Sequence, residues 1–183
     1  PCAIYRLPRV SAPLAGGAIN PDDLFWRLVR ASVAQGALPH IALAEHWTPV
    51  DFAAALIVNG GALDGRVYNL AAGAPLTLAA MGQALAATGY ALEELPLETW
   101  RSRLKASQSG ADQALAAFFD LQTPGAPLQA PAPSAANALA LAAAAGLEWP
   151  HLGADYLANL LQAAQAAGLL PAPAANDIQL QLG

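Results

Sequence analysis

Apolar positions along the chain alternate between short extended runs and stretches with helical spacing. Residues 3–7 are the first extended run and predict a strand, which Pro8 closes because proline has no N–H for a ladder. Asn20 is the predicted N-cap of the first helix, ahead of a proline and two aspartates, and Gly36 is its predicted end. Residues 9–17 are predicted to form a flexible loop at the carboxyl end of a strand, where open α/β sheets bind ligands.

The same alternation continues along the rest of the chain. Thr48 and Thr77 are the predicted N-caps of two more helices, and Ser134 of a third. Extended segments are predicted at residues 41–44, 65–70 and 94–97, and helices at residues 50–58, 77–89, 98–105, 110–121, 134–145 and 155–167. Residues 123–133 are typical of a Pro/Ala/Gly linker, and the tail from Pro171 of a frayed end. This order favours a mixed α/β fold over an all-helical bundle.

The composition is unusually apolar for a globular domain. Of 183 residues, 56% are hydrophobic and 11% are charged, which allows a sizeable core in one domain or one and a half. No run of 18 apolar residues occurs, so the sequence predicts no membrane span. Two explanations stay open for the apolar excess: an alanine-rich coding bias, and a surface that something else covers.

The charged residues exclude some classes of binding partner, and the single cysteine indicates the redox state of the compartment. The net charge is −5 and Lys105 is the only lysine, which argues against nucleic acid and anionic membranes as partners. Cys2 excludes an internal disulfide and a multi-cysteine metal site, and it is predicted to be a small buried strand residue. The chain begins Pro-Cys-Ala without a methionine or signal peptide, so we expect an excised piece of a longer protein in a reducing cytoplasm.

The candidate catalytic groups do not form a complete active site. His40 and His46 lie six residues apart and His151 is distant, so ordinary hydrogen-bonded histidines are favoured over a metal site. Adjacent carboxylates at 22–23 and 93–94 do not face each other across a substrate, and we interpret them as helix-start and solvated turn charges. Neither Gly-x-Ser-x-Gly nor Gly-x-Gly-x-x-Gly is present. An autonomous hydrolase or metalloenzyme is therefore the least favoured class.

Short motifs in a fixed order carry a resemblance over nearly the whole chain. In the opening unit they are Ile4-Tyr5-Arg6-x-x-Arg9-Val10-Ser11, Gly17-Ala18-Ile19-Asn20-Pro21-Asp22-Asp23 and Trp26-Arg27-Leu28. Later they are Thr48-Pro49-Val50-Asp51, Tyr68-Asn69-Leu70, Gly89-Tyr90, Trp100-Arg101-x-Arg103-Leu104 and Gly168-Leu169-Leu170-Pro171. With these motifs the chain resembles the carboxyl-terminal part of the terminal thioester reductase domains of nonribosomal peptide and polyketide synthases, which are extended short-chain dehydrogenases.

The resemblance implies a fold and an activity. Residues 1–73 would be the carboxyl-terminal strands and helices of a Rossmann-like reductase, an incomplete Rossmann-type remnant, and residues 74–183 a mostly helical substrate-side subdomain with the linker near 123–133. Such enzymes use NADPH to reduce a carrier-bound thioester to an aldehyde or alcohol. Their glycine-rich dinucleotide turn and Tyr-x-x-x-Lys pair precede the matched region, and neither is present, since Lys105 follows Arg101 instead of a tyrosine. No catalytic residue and no NADPH binding are therefore expected for this chain alone.

The resemblance also implies where ligands would lie. Cofactor contact is expected at Leu7, Pro8 and Arg9, where relatives usually carry Pro-Gly in place of Leu7-Pro8. The substrate path is expected between the opening loop and the first helix, with contacts from Ser11, Asn20, Trp47 and Thr48. Each candidate also has a structural interpretation: an ion pair for Arg9, a turn hydroxyl for Ser11, an N-cap for Asn20 and a core aromatic for Trp47.

Two functions follow from these observations. The first is the substrate-side portion of a thioester reductase, which works with an acyl or peptidyl carrier protein, its phosphopantetheine arm and an amino-terminal Rossmann half. The second is a non-catalytic, degenerate docking or structural module that recognises a carrier protein or a neighbouring synthase domain. The second function is suggested by the missing motifs and by Leu7-Pro8, which stand where relatives usually carry Pro-Gly. The acidic net charge of the chain does not favour recognition of an acidic carrier protein.

Overall fold

The computed structural model describes residues 2–60, 64–121 and 133–173, and its elements alternate between short strands and longer helices. The strands are β1 (Ile4–Arg6), β2 (Arg9–Ser11), β3 (Ala37–His40), β4 (Ala44–Glu45), β5 (Trp47–Pro49), β6 (Val67–Asn69), β7 (Leu76–Thr77) and β8 (Glu93–Pro96). The helices are α1 (Leu24–Gln35), α2 (Val50–Gly60), α3 (Leu78–Ala87), α4 (Leu97–Ala106), α5 (Gly110–Asp120), α6 (Ala136–Ala144) and α7 (Ala154–Ala166). The mixed, helix-rich α/β class predicted from the sequence is confirmed.

The strands of the described residues form four separate pairs. β1 with β6, β2 with β5 and β3 with β8 are parallel, and β4 with β7 is antiparallel. In the first pair Tyr5 stands opposite Tyr68, and the two rings stack at 5.2 Å between centroids. In the second pair Ser11 stands opposite Pro49, so β2 and β5 end at the same edge. Parallel pairs require long crossovers, and α1 and α2 lie within the one that joins β1 to β6.

Two apolar clusters form the core of the described chain. The larger one joins α1, β3, α3, α4, α5 and α7, and the fully buried Trp100 donates its indole N–H to Ala37 O at 3.0 Å. The smaller cluster joins α2, β6 and α6. The start of α6 also covers the outer edge of β6: Asn137 Nδ2 donates to Val67 O at 3.0 Å, and Asn69 Nδ2 donates to Ser134 O at 2.8 Å.

Two helix ends agree with the sequence, one formed by a glycine and one by a threonine. Gly36 ends α1 with φ of 64°, a backbone conformation that side chains with a Cβ disfavour. Thr77 is the N-cap of α3 and accepts the Ala80 N–H at 3.0 Å. Ser134 is not the N-cap of α6, because Ala135 takes that position while the Ser134 hydroxyl oxygen accepts the Ala136 N–H at 3.4 Å.

Two more predicted N-caps are wrong. Asp23, not Asn20, caps α1 and accepts the Phe25 N–H at 2.8 Å. Asn20 instead accepts the Asp22 N–H at 3.1 Å, an Asx turn that competes with helix and delays its start. Thr48 lies in β5, and its hydroxyl donates to Leu70 O at 2.7 Å, so the hydroxyl serves a neighbouring segment and not the helix start.

Three further predictions on local structure are corrected. The loop predicted over residues 9–17 begins with β2. No strand is predicted at residues 37–40, which form β3. Glu93 and Glu94 lie in β8 and pair with Arg103 and His40, so they are strand charges rather than turn charges. Cys2 is exposed ahead of β1 instead of buried in a strand. The predicted linker lies outside the described residues except for residue 133, as does the tail beyond residue 173.

Candidate functional site

Four of the predicted contact residues line one cleft. Arg9, Ser11, Asn20 and Trp47 border a cavity of about 280 Å³, together with Val50 at the first position of α2. Because β2 and β5 are parallel, Ser11 and Pro49 end their strands side by side, and the chain turns away from both at the cleft. This is the carboxyl edge at which α/β folds bind ligands.

The other three predicted residues do not line this cleft. The Leu7 side chain is 47% exposed and Pro8 is half-buried, both between β1 and β2. Thr48 is 1% exposed, and its hydroxyl is occupied by Leu70 O. The backbone brings Thr48 beside the cleft, but its hydroxyl already has an acceptor.

Arg9 is held by two carboxylates at the rim of the cleft. Its Nε donates to Glu45 Oε2 at 2.5 Å and Nη2 to Glu45 Oε1 at 3.1 Å, while Nη1 pairs with Asp23. Burial by itself lowers the pKa of Arg9, but the hydrogen bond and charge of Glu45, with those of Asp23, raise the pKa above its usual value. Arg9 stays charged and is neutralised, so it shapes the cleft instead of offering a free cation to a phosphate.

Ser11 is linked to a tyrosine that sequence reasoning did not identify. The Tyr156 hydroxyl of α7 lies 2.7 Å from Ser11 Oγ and 3.2 Å from Ala12 O, and its single proton is donated to one of these two oxygens at a time. Burial, chiefly, and the charge of Asp51 raise the pKa of Tyr156, although the hydrogen bond with Ser11 lowers it. When Tyr156 donates to Ala12 O, the Ser11 hydroxyl donates to the Tyr156 oxygen. When Tyr156 donates to Ser11, the Ser11 hydroxyl keeps its own proton for another acceptor.

The polar groups left unpaired around the cleft are hydrogen-bond donors. Trp47 is 3% exposed, and its indole N–H has no acceptor within the described part of the chain. The Asn20 side chain accepts through Oδ1, and none of residues 2–60, 64–121 and 133–173 accepts from its amide nitrogen. The indole N–H is buried away from solvent, so the Asn20 amide and the Ser11 hydroxyl are the donors that face a ligand, and they favour one that supplies acceptor oxygens, such as amide, thioester or carboxyl carbonyls.

A smaller apolar pocket lies on the other side of Arg9. Its volume is about 70 Å³, and α1 contributes Leu24, Phe25 and Leu28 while α5 contributes Phe118 and Phe119. Arg9 and Glu45 stand at its rim, so the Arg9 ion pair borders both the polar cleft and the apolar pocket. A short alkyl group fits this volume, whereas a long chain does not.

The histidines are not gathered into a metal site. His40 is exposed with Nδ1 at 3.3 Å from Glu94 Oε2, whereas His46 Nδ1 is buried without a partner within the described ranges. Across those ranges, no three His, Cys, Asp or Glu side chains come together as metal ligands would. None of the described helices is long and apolar enough to cross a membrane.

The chain is similar to known proteins in both sequence and structure. No family model matches the chain. An isonitrile lipopeptide synthase from Streptomyces coeruleorubidus is 34% identical over 191 residues, which cover 97% of this chain and 13% of the synthase. The crystal structure of the terminal R domain from the myxalamid PKS-NRPS pathway has a TM-score of 0.80 at 28% identity, over 93% of this chain and 45% of that one. The chain is thioester reductase-like.

A second solved structure agrees with this assignment at the level of the fold. The reductase (R) domain of a nonribosomal peptide synthetase from Mycobacterium tuberculosis has a TM-score of 0.69 at 21% identity, over 93% of this chain and 47% of that one. The resemblance drawn from the ordered motifs is therefore confirmed. The thioester reductase-like chain spans under half of either solved domain and about an eighth of the synthase.

Proposed function

We propose that this chain is the substrate-side portion of a thioester reductase that releases a carrier-bound acyl or peptidyl chain by NADPH-dependent reduction. The observation that carries the proposal is the cleft lined by Ser11, Asn20 and Trp47, where the Asn20 amide N–H has no acceptor within the described ranges and the Ser11 hydroxyl has a proton to donate when Tyr156 donates to it. A thioester and the amides of a phosphopantetheine arm supply carbonyl oxygens, the acceptors that such donors lack. The proposed partner is an acyl or peptidyl carrier protein, and the proposed setting is the cytoplasm, where a chain with one cysteine needs no disulfide.

Each cleft residue has a proposed role in holding the substrate. The Ser11 hydroxyl donates a hydrogen bond to one carbonyl oxygen of the substrate, and the Asn20 amide N–H donates a hydrogen bond to a second one. Trp47 is a rigid wall, fixed by an edge-to-face contact with Phe25 at 4.7 Å between ring centroids. The Arg9 ion pair keeps the rim in place. None of these groups is proposed to transfer a hydride or a proton, so they bind and orient the substrate.

The residues of the chain do not by themselves fit a dinucleotide. The cleft cation, Arg9, is neutralised by Glu45 and Asp23, and the sequence contains no Gly-x-Gly-x-x-Gly turn. NADPH supplies hydride when it is bound. We therefore propose that an amino-terminal Rossmann-type half holds NADPH and the proton donor, and that this chain alone is not catalytic.

The proposal is tested by NADPH titration with the chain alone and with the chain joined to an upstream Rossmann-type half. The joined protein is expected to bind NADPH and to reduce a pantetheine thioester, whereas the chain alone is expected to do neither. In the joined protein Ser11→Ala should raise the KM for the thioester about tenfold, because one hydrogen bond to the substrate is lost. Ser102→Ala is the matched control, since the Ser102 hydroxyl donates only to Glu98 O, on α4.

If the joined protein bound no NADPH, the proposed reductase function would lose its main support. The result would favour the second candidate, a non-catalytic docking or structural module. One observation already favours that candidate: with Arg9 neutralised, none of the described residues that line the cleft offers a free cation to a cofactor phosphate. The same titration therefore separates the two functions.

A further inference from the structure

A further cavity lies between α1, the start of α5 and the segment that follows α7. Its volume is about 360 Å³, which is larger than the volume of the cleft. Two guanidinium groups, those of Arg27 and Arg30, and one carboxylate, that of Asp112, line this cavity. We name it the arginine cavity. The proposed function makes no use of it so far.

We propose that the arginine cavity binds the phosphate of the phosphopantetheine arm of a carrier protein, through Arg27 and Arg30, while the thioester end of the same arm lies in the cleft. This inference rests on the proposed function, and it names the site for the other end of the arm.

The two arginines are available to an anion. Arg30 is exposed and forms no ion pair within the part of the chain that the structure describes. Arg27 Nη2 lies 3.3 Å from Oδ1 of Asp22, whose side chain is 80% exposed. A pair so open to water is held weakly, so Arg27 can exchange Asp22 for a phosphate. The third charged group, Asp112, accepts a hydrogen bond from the Ser107 hydroxyl at 2.6 Å.

The lining of the arginine cavity matches the chemistry at the phosphate end of the arm. A guanidinium offers two parallel N–H groups to two phosphate oxygens. Arg27 and Arg30 are three residues apart on α1, so their side chains are neighbours and both can reach one phosphate. In the arm, the phosphate is followed by a carbon atom that carries two methyl groups. Ala31, Ala34 and Leu169 supply an apolar wall for these methyl groups.

One side of α1 connects the arginine cavity to the cleft. Asp23, at the start of α1, lines the cleft. Arg27, Arg30 and Ala34 follow it at helical spacing, and all three are exposed and line the arginine cavity. These four residues therefore form one stripe along the helix, with the cleft at its amino-terminal end.

The length of the arm fits the distance between the two sites. With a rise of about 1.5 Å per residue, Arg27 and Arg30 lie about 6–10 Å along α1 from Asp23. From its phosphorus atom to its sulfur atom the arm is about as long as four amino-acid residues, so it spans about 14 Å when extended. An arm whose phosphate is bound by the two arginines can therefore place its thioester beside Ser11 and Asn20 in the cleft.

The experiment compares two thioesters with the same acyl group, one of phosphopantetheine and one of pantetheine, in the protein joined to its upstream half. The phosphorylated substrate should have a KM at least about tenfold lower, because charge-assisted hydrogen bonds hold its phosphate. Arg30→Met should remove most of this difference by raising only the KM for the phosphorylated substrate, with kcat unchanged. Asp22→Asn should lower the same KM about twofold, because it removes the carboxylate that competes for Arg27. A carrier protein loaded with the same thioester should depend on Arg30 in the same way.

Arg103→Met is the matched control. The Arg103 side chain is 43% exposed, as is that of Arg27, and it pairs with Glu93 outside the arginine cavity. Its replacement removes the same charge, so it should leave the KM for both thioesters unchanged. Circular dichroism confirms that the variants fold.

Three results would overturn the proposal. They are an equal KM for the two thioesters, an equal effect of Arg103→Met, and a rise in the KM for NADPH instead of the thioester in Arg30→Met, which would assign the cavity to a cofactor phosphate. Reduction of both thioesters with equal KM would leave the reductase intact. If neither thioester were reduced, the reductase would fail, and calorimetric titration of the chain with phosphopantetheine and with pantetheine would decide the phosphate site. Tighter binding of phosphopantetheine that Arg30→Met abolishes would support the site, and equal binding would overturn it.

Discussion

Replacing Arg9 by methionine tests whether the ion pair at the cleft rim holds this region together. The guanidinium contacts Glu45 and Asp23, and the three side chains are 19%, 20% and 23% exposed. Removing one member of a buried pair costs about 3–5 kcal/mol, because the partner charges remain without compensation. With about a fifth of each side chain in water, we expect the lower end, about 3 kcal/mol, which is roughly a hundredfold in the folding equilibrium.

The assay is urea unfolding followed by tryptophan fluorescence, with Arg30→Met as the matched control. Arg30 is exposed on α1 and forms no ion pair within the described ranges, so its replacement should change the free energy of unfolding by less than about 0.5 kcal/mol. Adding Glu45→Gln to Arg9→Met should recover about 1 kcal/mol, since it removes one orphaned charge. A loss below about 1 kcal/mol for Arg9→Met would place the network with ordinary surface ion pairs and refute this reasoning.

Three further predictions follow from single contacts. Trp100→Phe should lower the free energy of unfolding by about 2–3 kcal/mol in urea titration, because a fully buried indole and its hydrogen bond to Ala37 O are lost; a change under about 1 kcal/mol would contradict this packing. Gly36→Ala should cost about 1–2 kcal/mol in the same assay, a purely conformational cost at φ of 64°, since nothing lies within 4 Å of an added Cβ; an unchanged midpoint would argue against this helix end. Burial raises the pKa of Tyr156 above its usual 10.0, so the folded state retains that proton longer and stability falls as the pH rises past 10; Tyr156→Phe should flatten this fall, and an equally steep fall above about pH 10 would contradict a buried hydroxyl.

The parts of the fold that sequence patterns predict correctly are those decided within a few residues. Gly36 ends α1 because that turn needs positive φ, and Thr77 caps α3 because its hydroxyl reaches an N–H three residues ahead. Asn20 and Asp23 are both good cap residues, and Asp23, the one that caps α1, is also bound by Arg9 of β2. No local pattern contains that contact.

The candidate site depends on contacts between distant segments. Ser11 and Tyr156 are 145 residues apart, and nothing in the spacing near either one indicates their hydrogen bond. Strand β3 was missed for a related reason: Pro39 weakens its strand signal, and its partner β8 lies beyond two intervening helices. The sequence pointed to four residues that line the cleft, but only the tertiary contacts show which of their polar groups already have partners.

The way α6 covers β6 has a consequence for synthesis on the ribosome. The Val67 carbonyl gains its hydrogen bond only after Asn137 has been synthesised, and the Asn69 side chain only after Ser134. These partners lie 70 and 65 residues further along the chain. At elongation rates of about 5–20 residues per second, the outer edge of β6 stays uncovered for about 4 to 14 s. A nascent chain therefore exposes a β edge during elongation, and slower translation over residues 70–137 should lengthen its exposure to chaperones.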